Sequence, residues 1–203
     1  MHVMKGRKMM MLFRTSGLNF RRKRRKMKLS TAKSAAAWAV EILIVLLVAF
    51  VLVYCAGMRV TMVGNSMEST VSDGSQILVN RFIYNVKSPK SGDVIVFLPN
   101  GNEKSHYYVK RVIGVPGDKV QIKSGLLYVN GELYDTEDTD TIKNAGVAEE
   151  EITVGEDEYF VLGDNRNSSE DSRYANIGNI KKEYIKGKAW FVVRPFKKMG
   201  RIR

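Results

Sequence analysis

The sequence predicts a mainly β domain carried behind one membrane-spanning helix, and three observations predict it. Residues 35–58 form an unbroken apolar run of 24 residues whose only charge is Glu41. Beyond that run, short stretches rich in β-branched residues alternate with turn formers, a pattern that suits strands and not helices. Charge divides at the same place. Twelve Lys/Arg before Arg59 face one acid, a net +11, which leaves 21 Lys/Arg against 20 Asp/Glu, a net +1, for residues 59–203. The basic character of the chain belongs to an arm and not to a domain.

Residues 1–34 hold Arg21-Arg22-Lys23-Arg24-Arg25-Lys26 and no acid, a composition that buries too little apolar surface to fold alone. The run 35–58 follows directly, and at about 1.5 Å per residue it is long enough as a helix to cross roughly 30 Å of hydrocarbon. Trp38 and Tyr54 stand near its two ends, where amphipathic rings favour the interface, and Glu41 is close enough to the start to reach headgroups. Positive charge before the segment places the N-terminus in the cytoplasm as a basic arm on the anionic inner leaflet, and residues 59–203 outside. The run is longer than the core of a secretory signal, and Tyr54-Cys55-Ala56 lacks the small residues of a cleavage site, so an uncleaved anchor is expected.

After the anchor, Gln76-Ile77-Leu78-Val79 and Val94-Ile95-Val96-Phe97 read as strands, each entered through a Gly/Asp turn. Tyr107–Ile113 is a third, closed by Gly114-Val115-Pro116-Gly117-Asp118. Val120-Gln121-Ile122, Leu126-Leu127-Tyr128-Val129 and Glu132-Leu133-Tyr134 follow, the last two joined by an Asn130-Gly131 hairpin turn. Residues 135–158 are acidic and weakly patterned, which predicts a surface excursion. Tyr159-Phe160-Val161-Leu162 then runs into the polar segment 163–173, and Ala189–Val193 closes the domain.

The residue inventory narrows the chemistry. A single cysteine, Cys55, allows no internal disulfide and no cysteine-based metal cluster, and two histidines, His2 and His106, make a histidine-rich zinc site improbable. The stretch 135–140 lacks the glycine of a calcium loop. No metal and no cofactor is expected. Ser66, in Val60–Thr70 just past the anchor, is the candidate nucleophile, and a serine needs a base at neutral pH. Lysine serves as that base when burial lowers its pKa toward the working pH. Lys110 stands out because Val109, Val112 and Ile113 surround it in an apolar strand, although a strand lysine most often faces solvent. His106 is the rival base, since it would share one face of a regular strand with residue 110.

The motifs select between these readings. Gly64-Asn65-Ser66-Met67-Glu68-Ser69-Thr70 resembles the serine motif Ser-Met-x-Pro-Thr of bacterial type I signal peptidases, and Tyr108–Asp118 is similar to their lysine motif. Gly92-Asp93, Gly163-Asp164-Asn165-Arg166 with Ser169, Asp171, Ser172 and Arg173, and Ile185–Ala189 resemble the remaining motifs in the same order. The resemblance covers the anchor and nearly all of residues 59–203.

The resemblance implies an antiparallel β-sheet catalytic domain and a membrane-bound endopeptidase that cleaves signal peptides from exported preproteins with a Ser/Lys dyad. It makes Ser66 the nucleophile and Lys110 the base, with Ser169 bonding the lysine amine and Asp171 and Arg173 paired behind it. Gly163 leaves room for the lysine chain. The Ser66 N–H serves the oxyanion, and Gly64 stands where some relatives supply a serine hydroxyl, as in the Gram-positive branch. Val60, Met62, Val63, Val71, Tyr108 and Val109 match the substrate pocket, and ordinary core packing would account for each of them equally well. Ser69 replaces the family proline, which leaves open a weakened or inactive membrane-tethered homologue that binds peptides or scaffolds. Binding of nucleic acid by the basic arm is not expected beside an anchor and a near-neutral domain, and a self-cleaving repressor would carry a DNA-binding module instead.

Overall fold

A computed structural model describes residues 29–134 and 141–202. The basic arm therefore lies outside the described residues up to 28, as do 135–140 of the acidic stretch. The chain divides into two compact units, one ending at Ile44 and the other spanning Val45–Arg203. The described part of the first unit is helical. Helix α1, Leu29–Ala56, continues into the second unit and contains the apolar span Lys33–Leu52. The helix ends two residues before Met58, because Gly57 and the strand after it take over the backbone.

That strand is β1, Met58–Thr61, followed by β2, Gln76–Asn80, a helical turn α2, Ile83–Val86, and β3, Val94–Phe97. Next come β4, Tyr108–Gly114, β5, Lys119–Lys123, β6, Leu126–Val129, and β7, Glu132–Leu133. The chain ends with β8, Ile152–Thr153, β9, Glu158–Leu162, β10, Ile180–Lys181, β11, Ile185–Arg194, and β12, Gly200–Arg201. All pairings are antiparallel, as expected for a mainly β domain. One sheet runs β1-β2-β11-β3-β4-β9-β10 with β12 on β11, and a smaller one runs β7-β6-β5-β8. Asn130 and Gly131 both have positive φ, 53° and 81°, which the tight turn between β6 and β7 demands.

Three apolar clusters hold the sheets. Val60, Met62, Met67, Val71, Val79, Val96 and Val109 form one, and Ile95, Phe97, Val112, Tyr159 and Val161 another. The third joins Ile113, Phe160 and Leu162 to Ile142, Ala148 and Val154. This corrects the expected surface excursion. Residues 141–158 fold back, contribute strand β8 to β5, and bury those three apolar side chains. Their acidic neighbours face solvent, which is why composition alone disguised them.

Candidate active site

Ser66 lies in the loop between β1 and β2. Met62 N–H bonds the Ser75 carbonyl at 2.8 Å and closes the loop's neck, while Thr70 and Val71 N–H groups both bond the Met67 carbonyl. Met67 is fully buried and contributes about 2 kcal/mol of apolar burial, which pins the residue next to the nucleophile. Ser69 is exposed in this turn and its N–H makes no hydrogen bond among the described residues, so the turn closes without the family proline. Asn165 N–H donates to the Ser66 carbonyl at 3.0 Å and ties the loop to the segment after β9.

Lys110 sits mid-strand in β4, 4% exposed, with Nζ 2.6 Å from Ser66 Oγ. Its Nζ also lies 5.5 Å from the Tyr108 ring centre, two residues along the same strand. Burial lowers its pKa to about 8; Asp171, Glu170 and Asp164 pull it upward and Arg173 pushes it down. That shift from 10.5 corresponds to about 3 kcal/mol between the two protonation states. An amine at that pKa is neutral in a substantial fraction a little above neutrality and mostly neutral above pH 8, while the ammonium form donates to Oγ. His106 is exposed and precedes β4 by two residues, so it does not share a strand face with Lys110.

Behind the pair, Asp171 and Arg173 are buried together, with Nε and Nη2 of the arginine donating to the carboxylate at 2.7 and 2.9 Å. Arg173 also donates to the carbonyls of Arg166 and Asn144, and Asp171 accepts the Gly163 N–H at 3.1 Å. Every polar atom of this buried ion pair is thus answered, within the pair or by the backbone, the condition under which such a pair is tolerated. The segment 141–149 takes part directly, because Val147 N–H bonds the Arg173 carbonyl at 2.9 Å.

Ser169 and Gly163 lie against each other beside the Ser66 backbone. Ser169 Oγ is buried without a hydrogen-bond partner among the described residues, so it does not bond the lysine amine here. At Gly163 a Cβ would fall 2.2 Å from Ser169 Oγ and 2.4 Å from the Ser66 carbonyl oxygen. The glycine therefore makes room for Ser169 and for the backbone of Ser66.

The Gly64 N–H donates to Asp73 Oδ1 at 2.8 Å, which commits it within its own loop and leaves the Ser66 N–H as the oxyanion donor under consideration. Of the pocket residues, Val60, Met62, Val71 and Val109 are buried together in one cluster, Val63 is 69% exposed, and Tyr108 is half-buried with its hydroxyl on Glu170 at 3.1 Å. Among the described residues no group of His, Cys, Asp and Glu side chains is placed to hold a metal ion.

A further network went unassigned in the sequence. Arg111, beside Lys110, grips Asp164 through two bonds of 2.7 Å, and it donates to the Gly92 carbonyl and to Thr70 Oγ1. Thr70 Oγ1 in turn donates to Asp164. One guanidinium thus ties the nucleophile loop, the base's strand and the loop after β9. Its partners were all in the quoted motifs, but nothing local in the sequence says which pairs with which.

Comparisons with known proteins identify the family. The family described as signal peptidase, peptidase S26, matches residues 35–194. Signal peptidase I P of Bacillus subtilis subsp. natto is 38% identical over 148 residues, covering 69% of this chain and 78% of its own. Signal peptidase IB of Staphylococcus aureus is 38% identical over 178 residues, covering 77% and 90%. A crystal structure of a signal peptidase I from Enterococcus faecalis V583 is 31% identical, covers 51% of this chain and 97% of its own, and superposes with a TM-score of 0.41. The chain is that of a serine peptidase and belongs to the signal peptidase family, peptidase S26.

Proposed function

We propose that this chain is a membrane-bound serine endopeptidase that removes signal peptides from exported preproteins, with Ser66 as nucleophile and neutral Lys110 as base. The observation that carries the reading is the 2.6 Å separation of two buried side chains, one of them a lysine whose ammonium form is desolvated. As Oγ attacks the scissile carbonyl carbon, its proton passes to Nζ and the carbonyl oxygen becomes an oxyanion. The Ser66 N–H stabilises that charge, and one such donor is typically worth ~3–4 kcal/mol. Collapse expels the new N-terminal amine, which takes the proton from the ammonium. The neutral lysine then deprotonates a water that hydrolyses the acyl-serine.

Strand β1 ends the larger sheet. An extended signal peptide would add to its free edge through backbone bonds, with apolar depressions over Val60, Met62, Val71 and Val109 taking small side chains and Val63 at the rim. Helix α1 anchors the enzyme, and the charge excess before it favours a cytoplasmic N-terminus and an extracytoplasmic domain. Asp171 and Arg173 hold the segment that carries Gly163 and Ser169 against the dyad. The buried Ser169 hydroxyl, which has no hydrogen-bond partner among the described residues, would become a partner of the lysine once substrate is bound.

The test is cleavage of a preprotein in detergent by wild type, Ser66→Ala and Lys110→Ala. Loss of turnover in both variants, with melting curves that still show a folded protein, supports the dyad. Turnover surviving in Lys110→Ala but lost in His106→Ala would sink it. Protease accessibility of the β domain in sealed vesicles tests the orientation.

A further inference from the structure

Where α1 meets the β domain there is an open, mainly apolar groove of about 370 Å³ lined by Phe50, Tyr54, Gly57, Met58 and Arg81. All five residues belong to the second unit. Phe50 and Tyr54 are one helical turn apart and stack with ring centres 6.2 Å apart at 16°, and Tyr54 meets Phe82 at 5.9 Å. The three rings are 70%, 61% and 39% exposed, a ladder of aromatic surface that the chain itself leaves uncovered. The cation beside this ladder is likewise uncommitted, because Arg81 is exposed and enters none of the ion pairs among the described residues. Arg59, on the neighbouring strand β1, is a second exposed cation without an acidic partner among them.

The place of the groove decides what can fill it. It begins on the end of a helix whose apolar span reaches Leu52, so its aromatic half lies where hydrocarbon gives way to headgroups and its guanidinium half at headgroup depth. Aromatic rings at that boundary pack against acyl chain, and a guanidinium presents a planar fork that fits a phosphate diester. A zwitterionic headgroup would bring its own cation toward Arg81 and Arg59; an anionic one would not. We propose that this groove is a binding site for one anionic phospholipid, its phosphate on Arg81 and its upper acyl chain over Phe50, Tyr54 and Met58.

The full chain, reconstituted in nanodiscs of equal phosphatidylglycerol and phosphatidylcholine and then released in mild detergent, would be weighed by native mass spectrometry. Wild type is expected to retain phosphatidylglycerol in preference to phosphatidylcholine. Arg81→Gln, an exposed change that a melting curve will show to be folded, should lower that preference at least about fivefold, the scale of one interfacial cation. Tyr54→Ala should lower retention of both lipids, and Arg201→Gln, a control on β12, should change nothing. Equal retention of the two lipids by wild type would overturn the proposal. So would an equal loss in Arg201→Gln, which marks bulk attraction, or displacement of the lipid by millimolar inorganic phosphate, which marks a site for the anion alone. None of these readouts depends on peptidase activity, so the dyad and the lipid site stand or fall separately.

Discussion

Lys110 Nζ touches Ser66 Oγ at 2.6 Å although 44 positions separate the two residues, and neither the loop of one nor the strand of the other could place its partner alone. The contact is made by the sheet and by the Arg111, Asp164 and Thr70 network, which binds the two segments just beside it. Its chemistry depends on how far burial holds the lysine below its ordinary pKa.

Turnover requires the neutral amine, so kcat/KM measured on a fluorogenic signal-peptide substrate should rise with pH through about 8. The charges that act on Nζ are Asp171, Glu170, Asp164 and Arg173. Glu170 is the exposed member, held by the Tyr108 hydroxyl. Glu170→Gln removes a negative charge that favours the ammonium, so the rising limb should move to lower pH. A limb that moves upward, or not at all, would contradict this electrostatic account.

The same burial predicts a stability cost. Because the folded pKa of about 8 lies below the ordinary lysine value of 10.5, the native state binds fewer protons than the unfolded state between those values. Wild-type stability contributed by this group therefore rises with pH across that window, and the full cost is felt below pH 8. Lys110→Met should raise unfolding free energy by about 3 kcal/mol at pH 7, and the gain should shrink toward pH 10.5. Urea melts at both pH values check the magnitude and the sign.

Gly163→Ala should fold but lose activity. The new Cβ meets Ser169 Oγ at 2.2 Å and the Ser66 carbonyl at 2.4 Å, and the second of these is backbone next to the reacting hydroxyl. Overpacking of this kind costs about 1–3 kcal/mol, and displacement of a nucleophile by ~1 Å costs on the order of 10²-fold in rate. A variant with wild-type kcat would show that the loop yields without moving Ser66.

Asp171→Ala should be the most destabilising of these changes, by about 3–5 kcal/mol, because it strands the buried Arg173 guanidinium and the Gly163 N–H together. Differential scanning calorimetry of the variant beside Arg173→Ala measures it. A melting temperature close to wild type in either would mean that water reaches the site.

Ser69→Pro should leave the fold intact and raise stability by about 0.4–1 kcal/mol, since the Ser69 N–H has no hydrogen bond to lose and proline restricts the unfolded chain. A drop in stability would show that the turn around Ser69 has diverged from the proline-bearing form.

Much of this was readable before any coordinates, for a physical reason. Runs such as Val94–Phe97 and Leu126–Val129 are β-branched or apolar and bounded by turn formers, and they became strands with those limits. Strand β1 was hidden because Met58–Thr61 is only four residues long and follows the apolar run of the helix after a single glycine. The two-residue strands β8, β10 and β12 exist only through their partners, and β11 begins four residues before Ala189 because Lys186, Gly187 and Lys188 mask it. At the site, Ser66, Lys110, Asp171 and Arg173 were legible through their motifs. The support that Asn144 and Val147 give Arg173 was not, since it comes from acidic sequence some 30 positions away with no periodic pattern.

Strand β11 begins 75 positions after Lys110 and pairs with β2 on one side and β3 on the other. Without it, no backbone ladder joins the β1-β2 hairpin that bears the serine to the β3-β4 hairpin that bears the lysine. The sheet that holds both residues is therefore completed by the last long strand of the chain, so a truncation before Ile185 would remove the piece that joins the two hairpins.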